Sequence, residues 1–250
     1  MFIKTTNSTS SLLREQYLDR EDLFCIRTDF QSAGRGQTGN GWESEMGKNL
    51  LFSYLLREPD VPIQQQFDIS ARVCVTLYNV LLPLLDNRLS VKWPNDIYYG
   101  NDKLAGILIE HILVSGRIWR TIIGIGINLN QTDFISDAPN PISLKKITGN
   151  TYSPDKLMQD YLIEWKKTAA VPAEELRELY RGMLYRKEGF YPYMERVVDV
   201  TPTSICRTED AHQSVFMAEI EDITPQGELV LRTQKGETRI YHFKQIRFVI

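Results

Sequence analysis

The chain has 250 residues, a net charge of −3 and 42% hydrophobic residues. This length accommodates one large and one small domain, the apolar content excludes wholesale disorder, and the acidic balance argues against a broad nucleic-acid-binding surface. Three widely separated cysteines, no apolar leader and no apolar run near the roughly 18 residues of a membrane span predict a cytoplasmic protein with reduced thiols. The histidines are scattered, so we expect no metal cluster built by this chain.

Periodicity and turn residues predict the elements of the first 188 residues. Cap-type residues at 7–9 introduce the first helix, and Ser153-Pro154-Asp155 introduce a later one. The predicted helices cover about 10–20, 64–85, 153–167 and 172–186. The predicted strands cover 23–29, 49–56, 89–93, 103–113 and 117–129. Between the first two strands, residues 30–48 are rich in glycine and predict a long loop.

After residue 188 the pattern changes to short strands separated by turns. These runs are VVDVT (197–201), SVFMAEIEDI (214–223), GELVLRT (227–233) and TRIYHFKQIRFVI (238–250). They predict a small all-β barrel or sandwich with too few residues for a large core. We therefore predict an α+β protein with a large domain at 1–188 and a small β domain at 189–250.

The stretch GRGQTG (34–39) has the Gly-x-Gly-x-x-Gly spacing of a dinucleotide-binding loop. The next residues, NGWESEMGKN, contain two more glycines and precede a strand, so the helix that such a loop needs is absent. A P-loop also fails, because Lys48 is followed by Asn49. Two interpretations remain. Either Arg35, flanked by glycines, binds an anion, or the segment is a flexible surface loop with a solvated arginine.

The strand KLAGILIE (103–110) begins with a lysine. Alternation along a strand places Lys103 on one face with Ala105 and Ile107, and Gly106 on the other. This lysine either extends its amine into solvent from a strand end or points into a pocket. In a pocket, it is a point charge suited to a phosphate or a carboxylate.

Glycines in the strand IIGIGINLN (122–130) share one face with Asn128. Glycine weakens a strand interior, so the pattern indicates a flat ligand, another backbone against that face, or a β-bulge. The segment KWPND (92–96) packs charged, aromatic and polar groups around a proline, which is also typical of an ordinary strand-to-turn junction.

Four motifs in this order resemble those of biotin–protein ligases, which attach biotin to lysines of carrier domains. They are AGRGQTGNGW (33–42), KWPND (92–96), KLAGILIE (103–110) and GIGINLN (124–130). The resemblance covers residues 1 to about 186, and the tail is similar to the family's small β-barrel domain. It implies a catalytic domain of the class II aminoacyl-tRNA synthetase type, with a mixed sheet flanked by helices.

The resemblance also implies an activity. ATP and biotin would form biotinyl-AMP, with Mg²⁺ carried on the nucleotide, and a lysine of a biotin carboxyl carrier protein would then receive biotin. Lys103 and Arg35 would be catalytic. The positions matching biotin contacts are Ser8, Thr9, Ser10, Gln31, Gly34, Arg35, Gly36, Gln37 and Lys103. The positions matching nucleotide contacts are Trp42, Asn95, Asp96 and Asn128.

This chain departs from the family pattern in three places. Ser10 stands where the family has Asn, and Gln37 stands where the family commonly has a second Arg. The chain reaches its biotin motif by residue 8, so we expect no helix-turn-helix domain and no operator binding. We also expect a monomer or weak homodimer. Two alternatives stay open: a related acyl-adenylating enzyme such as a lipoate ligase, and a non-catalytic biotin or nucleotide sensor.

Overall fold

The structure, a computed structural model, describes residues 1–37, 40–57, 59, 61–136, 139–196 and 215–250. These residues form two β-sheets, and the larger sheet has seven strands. Its strands are β1 (Phe2–Thr6), β2 (Cys25–Gln31), β3 (Leu50–Arg57), β4 (Leu89–Lys92), β5 (Asp96–Tyr99), β6 (Asp102–Val114) and β7 (Arg117–Ile127). Their order in the sheet is β1-β2-β3-β7-β6-β5-β4. The first two strands run parallel and the other neighbours are antiparallel, so the sheet is mixed.

Helices flank this sheet. They are α1 (Thr9–Gln16), α2 (Phe67–Leu81), α3 (Leu144–Thr148), α4 (Pro154–Thr168) and α5 (Ala173–Gly182). Serine side chains cap α1, α3 and α4, because each accepts a hydrogen bond from a first-turn amide that has no partner inside the helix. Helix α2 packs between the sheet and the pair α4 and α5.

Helix α2 corrects one expectation from the sequence. Within the described part of the chain, the helical run Ile63–Leu84 is long and apolar enough to cross a membrane by length and composition alone. The expectation that no apolar run approaches that length was therefore wrong. More than half (56%) of its most apolar stretch is buried inside the protein, as in a core helix.

The C-terminal part forms a separate antiparallel sheet. Its described strands are β8 (Tyr191–Glu195), β9 (Val215–Ile223), β10 (Leu229–Thr233), β11 (Thr238–Tyr241) and β12 (Ile246–Phe248), in the order β11-β10-β9-β8-β12. The predicted strand at 197–201 lies outside the described residues. The indole of Trp93, between β4 and β5, donates to the carbonyl of Gly227 at 2.9 Å, and Arg181 of α5 pairs with Asp222 at 2.9 Å, so the C-terminal sheet contacts the β4–β5 turn and α5.

Candidate active site

One cavity lies on the face of the larger sheet, between the start of α1 and the glycine-rich segment after β2. Most of the predicted site residues line it. They are Ser8, Thr9, Ser10, Gln31, Arg35, Gly36, Gln37, Trp42, Asp96 and Lys103. Three predicted residues, Gly34, Asn95 and Asn128, do not line it. Further lining residues that the sequence did not suggest include Asn40, Phe52 and Leu108.

The first turn of α1 and Gln31 of β2 form one end of the cavity, which we call the serine end. Thr9 donates its backbone N–H to Oε1 of Gln31 at 2.8 Å. A backbone N–H can only donate, so the atom of the Gln31 amide that faces it must be the oxygen. The amide nitrogen of Gln31 therefore points elsewhere, and its two hydrogens are available as donors.

A chain of hydroxyl groups continues from Gln31. The Thr9 hydroxyl lies 3.1 Å from Oε1 of Gln31, which can only accept, so Thr9 donates its proton there. Ser53 lies 2.7 Å from the Thr9 hydroxyl and must donate to it. Ser10 lies 2.9 Å from Ser53, whose proton is already used, so Ser10 is the donor in that bond. We call Ser10, Ser53, Thr9 and Gln31 the hydrogen-bond chain.

The direction of the hydrogen-bond chain determines what the serine end can bind. The hydroxyls of Thr9 and Ser10 already donate their protons within the chain, so they can only accept a hydrogen bond from a ligand. Gln31 can donate its amide hydrogens. This end is therefore complementary to a neutral group that carries both N–H donors and a carbonyl acceptor. Ser53 is fully buried and was missed from the sequence, although a serine inside the apolar run LLFSYLL (50–56) was a usable signal.

The glycine-rich segment is partly a hairpin rather than a loop. Trp42 donates its backbone N–H to the carbonyl of Gly34 at 2.9 Å, and Gly36 donates to Asn40 at 2.9 Å. We call residues 34–42 the glycine hairpin; its tip, with Gly39, lies outside the described residues. A Cβ on Gly34 would lie 2.5 Å from the carbonyl oxygen of Trp42, so this glycine permits the arms to approach. Because the segment continues into β3 without a helix, it is not a dinucleotide-binding loop.

The indole of Trp42 lies flat on the glycines of β6 and β7. A Cβ on Gly126 would lie 2.4 Å from the ring, and one on Gly106 would lie 2.8 Å from it. The predicted space over these glycines is thus filled by a side chain of the protein itself. Nε1 of Trp42 is buried and has no hydrogen-bond partner among the described residues, so it is a donor without an acceptor.

Lys103 lies beside Trp42 at the other end of the cavity, which we call the lysine end. Its Nζ lies 2.8 Å from Oδ1 of Asp96 and 5.9 Å from the centre of a Trp42 ring. Asp96 is the only carboxylate that lines the cavity among the described residues. The lysine end therefore combines a partly exposed ion pair with an aromatic surface.

The predicted face of Lys103 was wrong. Ile97 of β5 pairs with Ala105 while Tyr98 pairs with Lys103, so β6 contains one extra residue at this point. Such a β-bulge interrupts the alternation of side chains. Lys103 consequently lies on the side of Gly106, where its Cε is 3.3 Å from the position of an added Cβ.

Arg35 is directed away from Lys103. Its guanidinium lies 2.7 Å from Oε1 of Glu110 and 3.2 Å from the hydroxyl of Ser11. Asp96, the partner of Lys103, pairs with Gly106 on β6, and Glu110 lies four residues further along that strand. Four residues span about 13 Å. The two predicted catalytic cations both line the cavity, but they pair with carboxylates whose positions are separated along the sheet.

The amides of Asn95 and Asn128 hold backbone segments in place. Asn95 donates from Nδ2 to the carbonyl of Ile107 at 2.6 Å, and Asn128 donates to that of Ile142 at 3.1 Å. Both side chains are buried. Their predicted contact with a nucleotide stays a prediction.

Glu43 anchors the arm of the glycine hairpin that carries Trp42. Its carboxylate accepts hydrogen bonds from the backbone N–H groups of Ile135 at 3.0 Å and Ser136 at 2.9 Å, and from Gln131 at 3.2 Å. Burial raises the pKa of Glu43, but the hydrogen bond from the Ser136 side chain, together with these three, outweighs it and holds the pKa below its ordinary value. No pattern in the sequence indicated a role for this residue.

Comparisons with known proteins agree with these observations. The profile of the biotin/lipoate A/B protein ligase family matches residues 2–128. The chain is 30% identical over 223 residues to the bifunctional ligase/repressor BirA of Bacillus spizizenii, covering 86% of this chain and 63% of that protein. It is 32% identical over 174 residues to BirA of Escherichia coli, covering 69% of this chain and 49% of that protein. The chain thus spans less than two thirds of the length of these curated relatives.

The fold is similar to that of the biotin protein ligase from Aquifex aeolicus in complex with biotin and ATP. The TM-score is 0.75, with 20% sequence identity over 100% of this chain and 98% of that chain. At 20% identity, this similarity shows the fold alone. It confirms the predicted α+β class, a mixed sheet flanked by helices and followed by a small β domain.

Proposed function

The chain belongs to the biotin/lipoate A/B protein ligase family, and we propose that it is an ATP-dependent biotin–protein ligase. Its relatives include proteins named biotin–[acetyl-CoA-carboxylase] ligase, from Mycobacterium tuberculosis and Paracoccus denitrificans. The proposed substrates are biotin, ATP and a biotin carboxyl carrier protein domain.

The hydrogen-bond chain is the observation that favours biotin over lipoate as the substrate. The fused-ring head of biotin is a cyclic urea, whose N–H groups suit the lone pairs of Thr9 and Ser10 and whose carbonyl suits the amide hydrogens of Gln31. The dithiolane of lipoate has neither group. Binding it would leave buried polar atoms unpaired, at about 1–3 kcal/mol each.

The first half-reaction would take place at the lysine end. An oxygen of the biotin carboxylate attacks the α-phosphorus of ATP, and the bond from that phosphorus to the pyrophosphate oxygen breaks. Both reactants are anionic, so the ammonium of Lys103 lowers their repulsion and stabilises the charge that builds up in the transition state. The indole of Trp42 offers a flat surface for the adenine.

Mg²⁺ would accompany the nucleotide. The described residues contain no cluster of three or more His, Cys, Asp or Glu side chains that could hold a metal ion by themselves. A single carboxylate, Asp96, fits the usual arrangement in which phosphates and one or two protein groups hold this ion. When bound, Mg²⁺ would screen the charge of the triphosphate.

In the second half-reaction, the amine of the carrier lysine attacks the acyl carbon of biotinyl-AMP. The bond to the phosphate oxygen breaks, AMP leaves, and the nitrogen loses a proton to give the amide. A cytoplasmic location, a monomeric or weakly dimeric state and the absence of nucleic-acid binding stay predictions.

Pyrophosphate exchange with ATP tests the proposal. Purified protein should exchange labelled pyrophosphate into ATP when biotin is present, and should then label a carrier domain on its acceptor lysine. Exchange with lipoate in place of biotin would identify the related ligase instead. Tight biotin binding with no exchange would identify a sensor.

A further inference from the structure

The turn between β4 and β5 leads directly into Asp96, the carboxylate that pairs with Lys103. Strand β4 ends at Lys92 and β5 begins at Asp96, and these two residues pair across the hairpin. Residues 93–95 alone make the turn, so a shift of any of them also moves Asp96. The geometry of the lysine end therefore depends on what holds these three residues in place.

The larger domain holds two of the three turn residues. The carbonyl of Pro94 accepts a hydrogen bond from the hydroxyl of Tyr180 in α5 at 2.9 Å. The side-chain amide of Asn95 donates to the carbonyl of Ile107 in β6 at 2.6 Å. These bonds attach the end of the turn that lies next to Asp96.

The C-terminal sheet holds the remaining turn residue, Trp93. Its indole N–H donates to the carbonyl of Gly227, which lies in the turn between β9 and β10, at 2.9 Å. The edge of one ring meets the face of the other between Trp93 and Phe243, with the ring centres 6.1 Å apart. Trp93 is buried, so its hydrogen bond is shielded from water and costly to lose.

Two further residues show how closely the C-terminal sheet approaches this turn. Gly227 has a φ of +88°, and a Cβ there would lie 2.4 Å from the ring of Phe67 in α2. A larger residue would push the carbonyl away from the indole, so the contact needs a glycine. The ammonium of Lys92 lies 5.4 Å from the ring centre of Phe248 in β12, within the range of a cation–π contact. The C-terminal sheet thus contacts both residues that precede Pro94.

We propose that Trp93 is a positioning residue for the lysine end. The C-terminal sheet holds its indole, and through the turn at 93–95 the indole fixes Asp96 where it orients the ammonium of Lys103. Trp93 does not line the cavity, so in this role it acts through Asp96 and meets neither biotin nor ATP. The inference rests on the proposed biotin–protein ligase function, because it uses the role of Lys103 in adenylate formation.

This role separates the reaction rate from biotin affinity. A group that stabilises a transition state must be held within about 0.5 Å of its working position, so a small shift of Asp96 slows adenylate formation. The serine end is built on α1, β2 and β3, and the turn at 93–95 contacts none of these elements through the bonds described above. Loosening Trp93 should therefore lower kcat and leave biotin binding unchanged.

Biotin-dependent ATP–pyrophosphate exchange in two variants tests this role. Trp93→Phe keeps an aromatic ring and removes the indole N–H, and Phe243→Leu changes a ring that is 42% exposed, so the fold is retained. We expect each variant to lower kcat about three- to tenfold, the range for one hydrogen bond or ring contact, with the Kd for biotin within about twofold. The matched control is Asp222→Asn, which removes the charge that pairs with Arg181 of α5 and does not touch the turn. Its kcat should stay within about twofold of wild type.

A double variant shows whether Trp93 acts through Asp96. Asp96→Asn should lower pyrophosphate exchange, and adding Phe243→Leu to it should lower the remaining activity no further, because the group being positioned is already gone. Three results would overturn the proposal. They are the same fold loss from Phe243→Leu in both backgrounds, wild-type kcat in Trp93→Phe and Phe243→Leu, and an equal loss in Asp222→Asn.

Amide hydrogen–deuterium exchange provides a second measurement that needs no enzyme activity. Peptides that cover residues 92–96 should take up deuterium faster in Trp93→Phe and Phe243→Leu than in wild type, and at the wild-type rate in Asp222→Asn. Unchanged uptake in the first two variants would mean that the C-terminal sheet does not hold the turn. A wild-type protein without pyrophosphate exchange would instead defeat the proposed function, and the deuterium uptake would still report on the turn.

Discussion

The two ends of the cavity differ in how completely their polar groups are paired. At the serine end, Thr9, Ser10 and Ser53 hydrogen-bond to one another or to Gln31, and each bond has a defined direction. At the lysine end, the indole N–H of Trp42 is buried without a partner among the described residues. The Lys103–Asp96 pair there is partly exposed, with 29% and 24% of the two side chains accessible.

This difference indicates that the two ends of the cavity have different functions. The hydrogen bonds among Thr9, Ser10 and Ser53 fix the direction of the groups that remain free, and these groups reject ligands that cannot satisfy them, so the serine end suits recognition. Unpaired donors and accessible charges cost free energy unless a ligand satisfies them, so the lysine end suits the reacting anions. Substitutions at the lysine end should therefore affect the reaction rate, and those at the serine end should affect biotin affinity.

The largest effect is expected for Lys103→Ala. Loss of its ammonium should lower biotin-dependent ATP–pyrophosphate exchange by roughly 10²–10³-fold, as expected for one charge that stabilises the transition state. Biotin binding without ATP should change much less. The control is Lys146→Ala, which removes an exposed lysine that does not line the cavity. Near-normal exchange in Lys103→Ala would exclude this lysine from the chemistry.

Ser53→Ala tests the serine end. The substitution leaves the Thr9 hydroxyl without its donor and the Ser10 hydroxyl without its acceptor, so Ser10 can turn its proton toward the ligand's N–H. We expect the dissociation constant of biotin to rise roughly 10- to 100-fold, the range for one or two unsatisfied buried groups. Desthiobiotin has the same urea and should lose as much. Unequal losses for the two ligands would contradict the assignment of the urea to this end.

Gly126→Ala tests the surface formed by Trp42. The added Cβ would lie 2.4 Å from the indole, so the ring must move away from β7. Overpacking of this kind costs about 1–3 kcal/mol, and we expect the KM for ATP to rise by about tenfold with little change in biotin affinity. Gly182→Ala, at an exposed position where an added Cβ meets nothing within 4 Å, is the control. A larger effect on biotin than on ATP would place the nucleotide elsewhere.

Local patterns in the sequence predicted the elements of the fold, but not the contacts between distant segments. Alternation and capping residues are local, so strands such as β7 and helices such as α4 could be predicted. The face of Lys103 depends on how β5 pairs with β6, and that pairing inserts an extra residue. The partner of Arg35, Glu110, is 75 residues away, and only the folded sheet brings the two together.

Glu43→Gln should give the smallest effect, on stability rather than activity. The folded pKa of Glu43 lies below its ordinary value of 4.5, so the folded protein keeps the carboxylate charged at a pH where the unfolded chain has bound a proton. The stabilisation from Glu43 is therefore complete above about pH 5, and it is lost as the pH falls through the folded pKa. We expect Glu43→Gln to lower the Tm by about 2 °C or less near pH 7, and this difference should vanish at low pH. Scanning calorimetry of both proteins from pH 7 to pH 3 measures it, with the exposed Glu188→Gln as control. A difference that grows as the pH falls would mean that Glu43 is held in its protonated form, opposite to the role that its hydrogen-bond donors assign to it.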